Sequence, residues 1–277
     1  MRIAQKAGRP HVSMETALQV LPESRLNLAV YLINMDGAED RMEVMNRETA
    51  AAGIVAERVP AVIGRNLNFP IPEFSELSYK LLHGRRLKHG EVGCYLSHVD
   101  CTRRFLASDA DLCLILEDDV TFEPDFLETI DAAAKNADAW DILRLTTVSS
   151  GRKFPFRRLK NGRSLSIALT REKGSGAYMI NRKAARWITE RLVPMRLAYD
   201  IAFDLEYLSG LKGAFVWPLV ASQDSDFESQ IQGNINAHKL PRWRYITVLP
   251  YRAYLEVSRV LARGGLLLWQ TLVNRNG

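Results

Sequence analysis

Cysteine is scarce in this chain: three in 277 residues, Cys94, Cys101 and Cys113, each inside an apolar stretch and none in a C-x-x-C pair. That excludes a disulfide framework and the usual thiolate metal spacings, and fits reduced thiols in a reducing compartment. Long apolar runs are also absent. No segment reaches the roughly 18 consecutive apolar residues expected of a spanning helix, and the residues before Leu26 lack the unbroken apolar core of a secretory leader. Repeats and low-complexity tracts are missing. So is a glycine-rich phosphate-cradling loop, which argues against a phosphotransferase. The expected location is therefore cytoplasmic, with no membrane span.

What is present is the composition of a globular protein, 47% hydrophobic and 25% charged. The formal net charge of +5 is concentrated at one end. From Arg242 onward there are six arginines against Glu256 alone, which accounts for the whole excess. A basic tail over a near-neutral body implies an acidic partner surface.

Hydrophobic patterning predicts a loose arm over residues 1–25, an α/β domain over 26–240 and a basic amphipathic segment over 241–277. Leu28 to Ile33 is a continuous apolar run ending in Asn34-Met35-Asp36-Gly37, as for a buried strand meeting a turn. A helix over 38–52 and a strand over 54–59 follow, the opening of a nucleotide-binding α/β unit. Residues 60–89 hold three prolines and two glycines and read as an irregular insertion. Helical spacing returns over 91–106. Leu112 to Leu116 is apolar without alternation, as for a central strand covered on both faces.

Glu117-Asp118-Asp119 closes that strand. Three adjacent carboxylates cannot all stay ionised without a compensating cation, and strand ends of open α/β sheets are where ligands bind. A hard divalent ion needs only one or two protein carboxylates, because phosphate and water oxygens complete its shell. The alternative is a solvated acidic turn favoured by the N-terminus of the next helix.

Leu116-Glu117-Asp118-Asp119-Val120, preceded by Gly90-Glu91-Val92-Gly93-Cys94-Tyr95-Leu96-Ser97-His98, resembles glycosyltransferase family 25. Other segments agree in order: Tyr31-Leu32-Ile33-Asn34 with Arg41, Ala61-Val62 with Gly64, Trp140-Asp141-Ile142-Leu143, and Gly176-Ala177-Tyr178-Met179-Ile180 with Lys183-Ala184-Ala185. The resemblance spans about residues 28–231. It implies an α/β, GT-A-like nucleotide-sugar-binding fold with a mixed central sheet flanked by helices. It further implies a UDP-sugar donor, usually UDP-galactose or UDP-glucose, bound with Mn²⁺ or Mg²⁺ at the acidic motif. On that basis Asp119 is the expected metal ligand, Glu117 and Asp118 contact ribose or donor sugar, and Asn34 and Arg41 meet the uracil and ribose.

Glu91 and His98 lie two helical turns apart, so one helix face could present both toward the donor. An inverting transfer needs a base for the acceptor hydroxyl, and a carboxylate is the usual choice. The resemblance points to Asp200 for this role, although Ala198-Tyr199-Asp200 departs from the family's Pro-x-Asp setting; Asp204 is the rival. Asp224, Asp226 and Glu228 form a second acidic stretch. In the tail, Trp243, Tyr245, Tyr254, Leu261 and Trp269 alternate with arginines, which suits a helix on an anionic membrane interface or one docked on the domain. No nucleic-acid motif accompanies the arginines. The expected function is an inverting, metal-dependent hexosyl transfer to a lipooligosaccharide or related glycan acceptor, peripheral at the inner face of the cytoplasmic membrane. A non-catalytic nucleotide-sugar or glycolipid-binding protein on the same fold is the alternative.

Overall fold

The computed structural model describes residues 18–223 and 238–273. Asp224, Asp226 and Glu228 fall outside them. In chain order the elements are β1 (Leu18–Val20), β2 (Asn27–Asn34), α1 (Glu39–Ala51) and β3 (Glu57–Pro60), then α2 (Glu76–Ser78) running into a π-helical turn at Tyr79–His83. Next come α3 (His89–Ala107), β4 (Leu112–Glu117), β5 (Thr121–Phe122), α4 (Phe126–Ala134), β6 (Ile142–Arg144), β7 (Lys153–Arg158) and β8 (Ser164–Ala168). The last are β9 (Ala177–Asn181), α5 (Arg182–Arg191), α6 (Tyr199–Phe203), β10 (Gly213–Trp217), β11 (Ala221–Ser222) and α7 (Tyr245–Val273).

The protein is α/β with a mixed central sheet in the order β1-β2-β4-β9-β6-β10-β8-β7, and β3 pairs with β2. β2, β3 and β4 run parallel, and β9 enters antiparallel between β4 and β6. Side chains of β2 alternate between two apolar layers, which is why its sequence shows no polar face. Leu28, Val30 and Leu32 join Met45 of α1 and Phe126 and Ile130 of α4. Ala29, Tyr31 and Ile33 join Tyr95 and Val99 of α3 and Ile188 of α5.

Register delivers the acidic motif to one edge of the molecule. Ile33 of β2 pairs with Glu117 of β4, so Asn34 stands level with Asp118. On the other side of β4, Leu116 pairs with Ala177, and the Glu117 amide donates to the Gly176 carbonyl at 2.7 Å. A two-stranded ribbon of β5 and β11 then brings Gln223 up beside Asp119.

Two predicted segments gain detail from the structure. The arm predicted over residues 1–25 ends in ordered structure: β1 pairs antiparallel with β2, and Leu21 is buried. Amides of Glu23 and Ser24 donate to Asp131 of α4 at 2.6 and 2.8 Å. A three-residue strand is too short to show periodicity, so its pairing was not readable. The basic tail is a long helix whose arginines divide by role. Arg259 and Arg263 are buried in the domain, and Gln270 donates to the Ala139 carbonyl at 3.1 Å. No helix among the described residues is long and apolar enough to cross a membrane.

Candidate active site

The three carboxylates of the acidic motif have different surroundings. Asp118 accepts at one oxygen from Asn34 Nδ2 (2.8 Å) and at the other from Arg41 Nη1 (2.9 Å). Asn34 is buried and its own carbonyl oxygen accepts from Arg58 Nε at 2.9 Å. Asn34 and Arg41, expected against the nucleotide, are thus committed to Asp118, which holds that side chain in one orientation.

Glu117 Oε1 accepts from Ser175 Oγ at 2.7 Å and lies 3.2 Å from His98 Nε2. Burial pushes its carboxyl upward, but the hydrogen bonds from His98 and Ser175 outweigh that and hold it below the ordinary value. A carboxylate only accepts, so Nε2 of His98 carries the proton in this contact. The other ring nitrogen is 3.0 Å from the Tyr178 hydroxyl, which shares a 2.8 Å hydrogen bond with the Tyr199 hydroxyl. The His98 ring also stacks on Tyr199, with centroids 4.2 Å apart. A polar line therefore runs from the end of β4 through α3 and β9 to α6.

Asp119 is different again. Its one hydrogen bond among the described residues is a long one from Gln223 Nε2, 3.4 Å. Burial and the charges of Glu117 and Asp118, against weaker relief from Gln223 and Arg41, push its carboxyl up to about 6. Gln223 reaches it across Gly176, where any Cβ would sit 2.3 Å from the Gln223 amide carbon. Asp119 is thus a half-buried carboxylate with no cation in contact among the described residues, beside two further carboxylates. That fits a hard divalent ion, which would draw its remaining ligands from phosphate and water.

Asp200 is the second residue of α6, directly after Tyr199. Burial raises its carboxyl above the usual aspartate value, with the Ile201 amide (2.9 Å) and the Arg144 charge opposing and Glu91 adding. Asp204, one turn later, is fully buried and ion-paired to Arg263 (2.8 Å), Arg259 (3.1 Å) and Arg144 (3.6 Å). Enclosed by these guanidiniums, it has no surface open to an acceptor, whereas Asp200 is half-buried.

Glu91 and His98 do not act as a pair. Glu91 accepts from Tyr79 and from Arg85 Nη1 (3.2 Å), whereas His98 belongs to Glu117. Between them on α3 stands Cys94, one turn before His98. Burial and then the charges of Glu117, Asp200, Glu91 and Asp119 push its thiol well above the ordinary value, so it stays protonated. One ligand atom each from Cys94, His98 and Glu117 lies within 4.8 Å of the others. A protonated thiol and a carboxylate already satisfied by His98 and Ser175 make this a weaker cation site than Asp119.

Sequence reasoning missed Ser175, Tyr199, Gln223 and Cys94. The i, i+4 spacing of Cys94 and His98 was visible and would have placed both on one helix face. Nothing in sequence marked Gln223, which depends on the β5–β11 ribbon.

Residues 27–203 match the family described as glycosyltransferase family 25 (LPS biosynthesis protein), and the chain belongs to that family. It is similar to a glycosyltransferase 25 family member of Drosophila melanogaster, 34% identical over 138 residues, covering 46% of this chain and 22% of that protein. Procollagen galactosyltransferase 1-A of Xenopus laevis is 31% identical over 144 residues, covering 48% of this chain and 23% of its own. The matches thus span less than a quarter of these relatives' length. Among solved structures, A197 from STIV overlaps 68% of this chain and 80% of its own with a TM-score of 0.36 and 15% identity.

Proposed function

We propose that this member of glycosyltransferase family 25 is a metal-dependent hexosyltransferase on a GT-A-like fold. It would move galactose or glucose from a UDP-sugar to a lipooligosaccharide or related glycan, with inversion. The carrying observation is Asp119, which among the described residues is the one carboxylate of the acidic motif without an arginine or histidine hydrogen-bond partner, its carboxyl raised by burial and by Glu117. The galactosyltransferase names of the animal relatives support galactose as the sugar. The family description supports a lipopolysaccharide acceptor.

Asp119 would hold Mn²⁺ or Mg²⁺, and the ion, when bound, offsets charge on the departing diphosphate. The rest of the work belongs to the chain. Arg41 and Asn34 fix Asp118 so that its free lone pairs face the donor. His98 and Ser175 keep Glu117 ionised and immobile, ready to accept from a sugar or ribose hydroxyl. Asp200 takes the proton of the attacking acceptor hydroxyl, and burial makes it a stronger base than a solvated aspartate. The Tyr178–Tyr199 hydrogen bond ties the start of α6, and with it Asp200, to the acidic motif.

α7 supports a place on the cytoplasmic face of a membrane. Its polar residues Arg259, Arg263 and Gln270 face the domain, while Ile246, Leu249, Val257, Leu261, Leu268 and Leu272 are exposed. Their spacings of 3, 8, 4, 7 and 4 residues keep them on one side of the helix as an outward apolar stripe, flanked by exposed Trp243, Tyr254 and Trp269.

A thermal-shift screen of UDP-, GDP- and CMP-sugars with and without Mn²⁺ tests the donor, since a ligand of the native state raises apparent stability. Stabilisation by a UDP-hexose, larger with Mn²⁺, is expected. Indifference to every UDP-sugar would overturn the reading.

A further inference from the structure

Two elements bring a sulfur, a nitrogen and an oxygen together beside the acidic motif. Cys94 and His98 stand one turn apart on α3, and Glu117 ends β4. One ligand atom from each lies within 4.8 Å of the other two, and the closest pair, His98 Nε2 and Glu117 Oε1, is 3.2 Å apart. Cys94 is a free thiol with no hydrogen bond among the described residues. The other two cysteines, Cys101 and Cys113, are sealed in the apolar layer between α3 and the sheet.

The spacing suits a tetrahedral ion. Zinc bonds of about 2.0–2.3 Å put neighbouring ligand atoms about 3.4–3.6 Å apart. The His98–Glu117 pair is already close to that, and the sulfur needs at most about 1.2 Å of side-chain movement from its 4.8 Å limit. The His98 ring is fully buried, whereas Cys94 is half-buried and the Glu117 side chain is 23% exposed. An ion here would therefore have three ligands from the chain and a fourth position toward solvent, the pattern of zinc sites that are not purely structural.

The surroundings can hold such an ion with balanced protons. The thiol proton leaves to solvent, and the imidazole presents a bare Nε2 with its proton on Nδ1. The Tyr178 hydroxyl, 3.0 Å from Nδ1, accepts from it and donates its own proton to the Tyr199 hydroxyl 2.8 Å away. That fixes the ring as metal-bound histidines are usually fixed. Ser175 keeps donating to Glu117 Oε1 from 2.7 Å, so the ion replaces only the His98 N–H. Thiolate and carboxylate together offset both charges of the ion. A hard ion such as Mn²⁺ gains little from sulfur and is served better at Asp119; a borderline-soft one gains from both sulfur and imidazole.

We propose that Cys94, His98 and Glu117 form a three-ligand site for a borderline-soft divalent ion of the Zn²⁺ class, separate from the hard-ion place at Asp119. Because Glu117 is also a donor contact in the transferase reading above, an ion held here would withhold it from the sugar nucleotide. That consequence rests on the transferase reading, and the site itself does not.

The full chain, kept reduced with a phosphine, is titrated with Co²⁺, which takes zinc's ligands and reports them in its spectrum, and then with Zn²⁺. A near-ultraviolet thiolate-to-cobalt band is expected to saturate at one ion per chain and to vanish as Zn²⁺ displaces the cobalt. Cys94→Ser is expected to lack the band and to bind Zn²⁺ at least about tenfold more weakly, with unchanged melting temperature and unchanged Mn²⁺ binding. Asp119→Asn is expected to keep the band. No band in wild type, or equal Zn²⁺ binding by wild type and Cys94→Ser, would overturn the site. Loss of the band in Asp119→Asn would assign the ion to the acidic motif and overturn it as well. No arm uses a sugar nucleotide, so a missing UDP response in wild type would strike the donor reading and leave these titrations to report on the Cys94 site.

Discussion

Two groups of carboxylates, one half-buried at the end of β4 and one fully buried beneath α7, solve the same electrostatic problem in opposite ways. Under α7, Asp204 and Glu206 face Arg144, Arg259 and Arg263, and the Arg263 guanidinium alone donates to Asp204 Oδ1 at 2.8 Å and to Glu206 Oε1 at 2.7 Å. Every charge there has a partner from the chain. At the end of β4, Arg41 serves Asp118 and His98 serves Glu117, and among the described residues Asp119 has neither kind of partner. Balanced buried charge builds architecture. A half-buried carboxylate without such a partner is a candidate for a ligand.

The sharpest way to break this comparison is to neutralise Asp200 and Asp204, one turn apart on the same stretch of chain. Asp200→Asn is expected to lower turnover by about 10²–10⁴-fold, the usual worth of a general base, with melting temperature unchanged. Asp204→Asn removes the carboxylate shared by Arg144, Arg259 and Arg263 and is expected to cost roughly 3–5 kcal/mol of stability, read by urea unfolding. Its residual activity at low temperature should stay near wild type. The reverse pattern would exchange the two roles.

The pH dependence is a second probe. Asp200 must be ionised to accept a proton, and burial raises it. Activity should therefore fall with acidification at a pH above the ordinary aspartate range near about 4. The acid limb of kcat/KM is the measurement, and a limb at or below that range would contradict the assignment.

Arg41→Ala removes one of the two bonds on Asp118 and should reduce turnover by roughly tenfold, the scale of one charge-assisted hydrogen bond. The smallest effect is expected outside the site. Leu261→Glu places a charge in the exposed stripe of α7 and should weaken sedimentation with anionic vesicles several-fold. Turnover on a soluble acceptor should not change.

Much of this was legible in sequence. The buried β2 and β4 follow from unbroken apolar runs, and the spacing of the Glu91–His98 segment gave α3 within two residues at its start. Gly93 of that segment has a physical reason: a Cβ there would lie 2.3 Å from the Val62 carbonyl oxygen, so α3 rests directly on the Val62–Gly64 loop. Trp140-Asp141 and Lys183, far apart in sequence, meet through an Asp141–Lys183 ion pair of 3.2 Å. Illegible features depend on long-range pairing. The α7 arginines looked alike in sequence, and only docking sorts Arg259 and Arg263, buried, from Arg252, exposed. The same holds for Asp200 and Asp204, whose difference is set by partners on β6 and α7.

The metal role of Asp119 is tested most directly by titrating Mn²⁺ into the full chain with UDP present, wild type against Asp119→Asn, by calorimetry or by loss of the free-ion magnetic resonance signal. Binding by wild type and at least a hundredfold weaker binding by the variant, with its fold intact, is the expected result. Equal Mn²⁺ affinity in the two proteins would contradict the assignment and send the ion, if there is one, to Glu117 and Cys94.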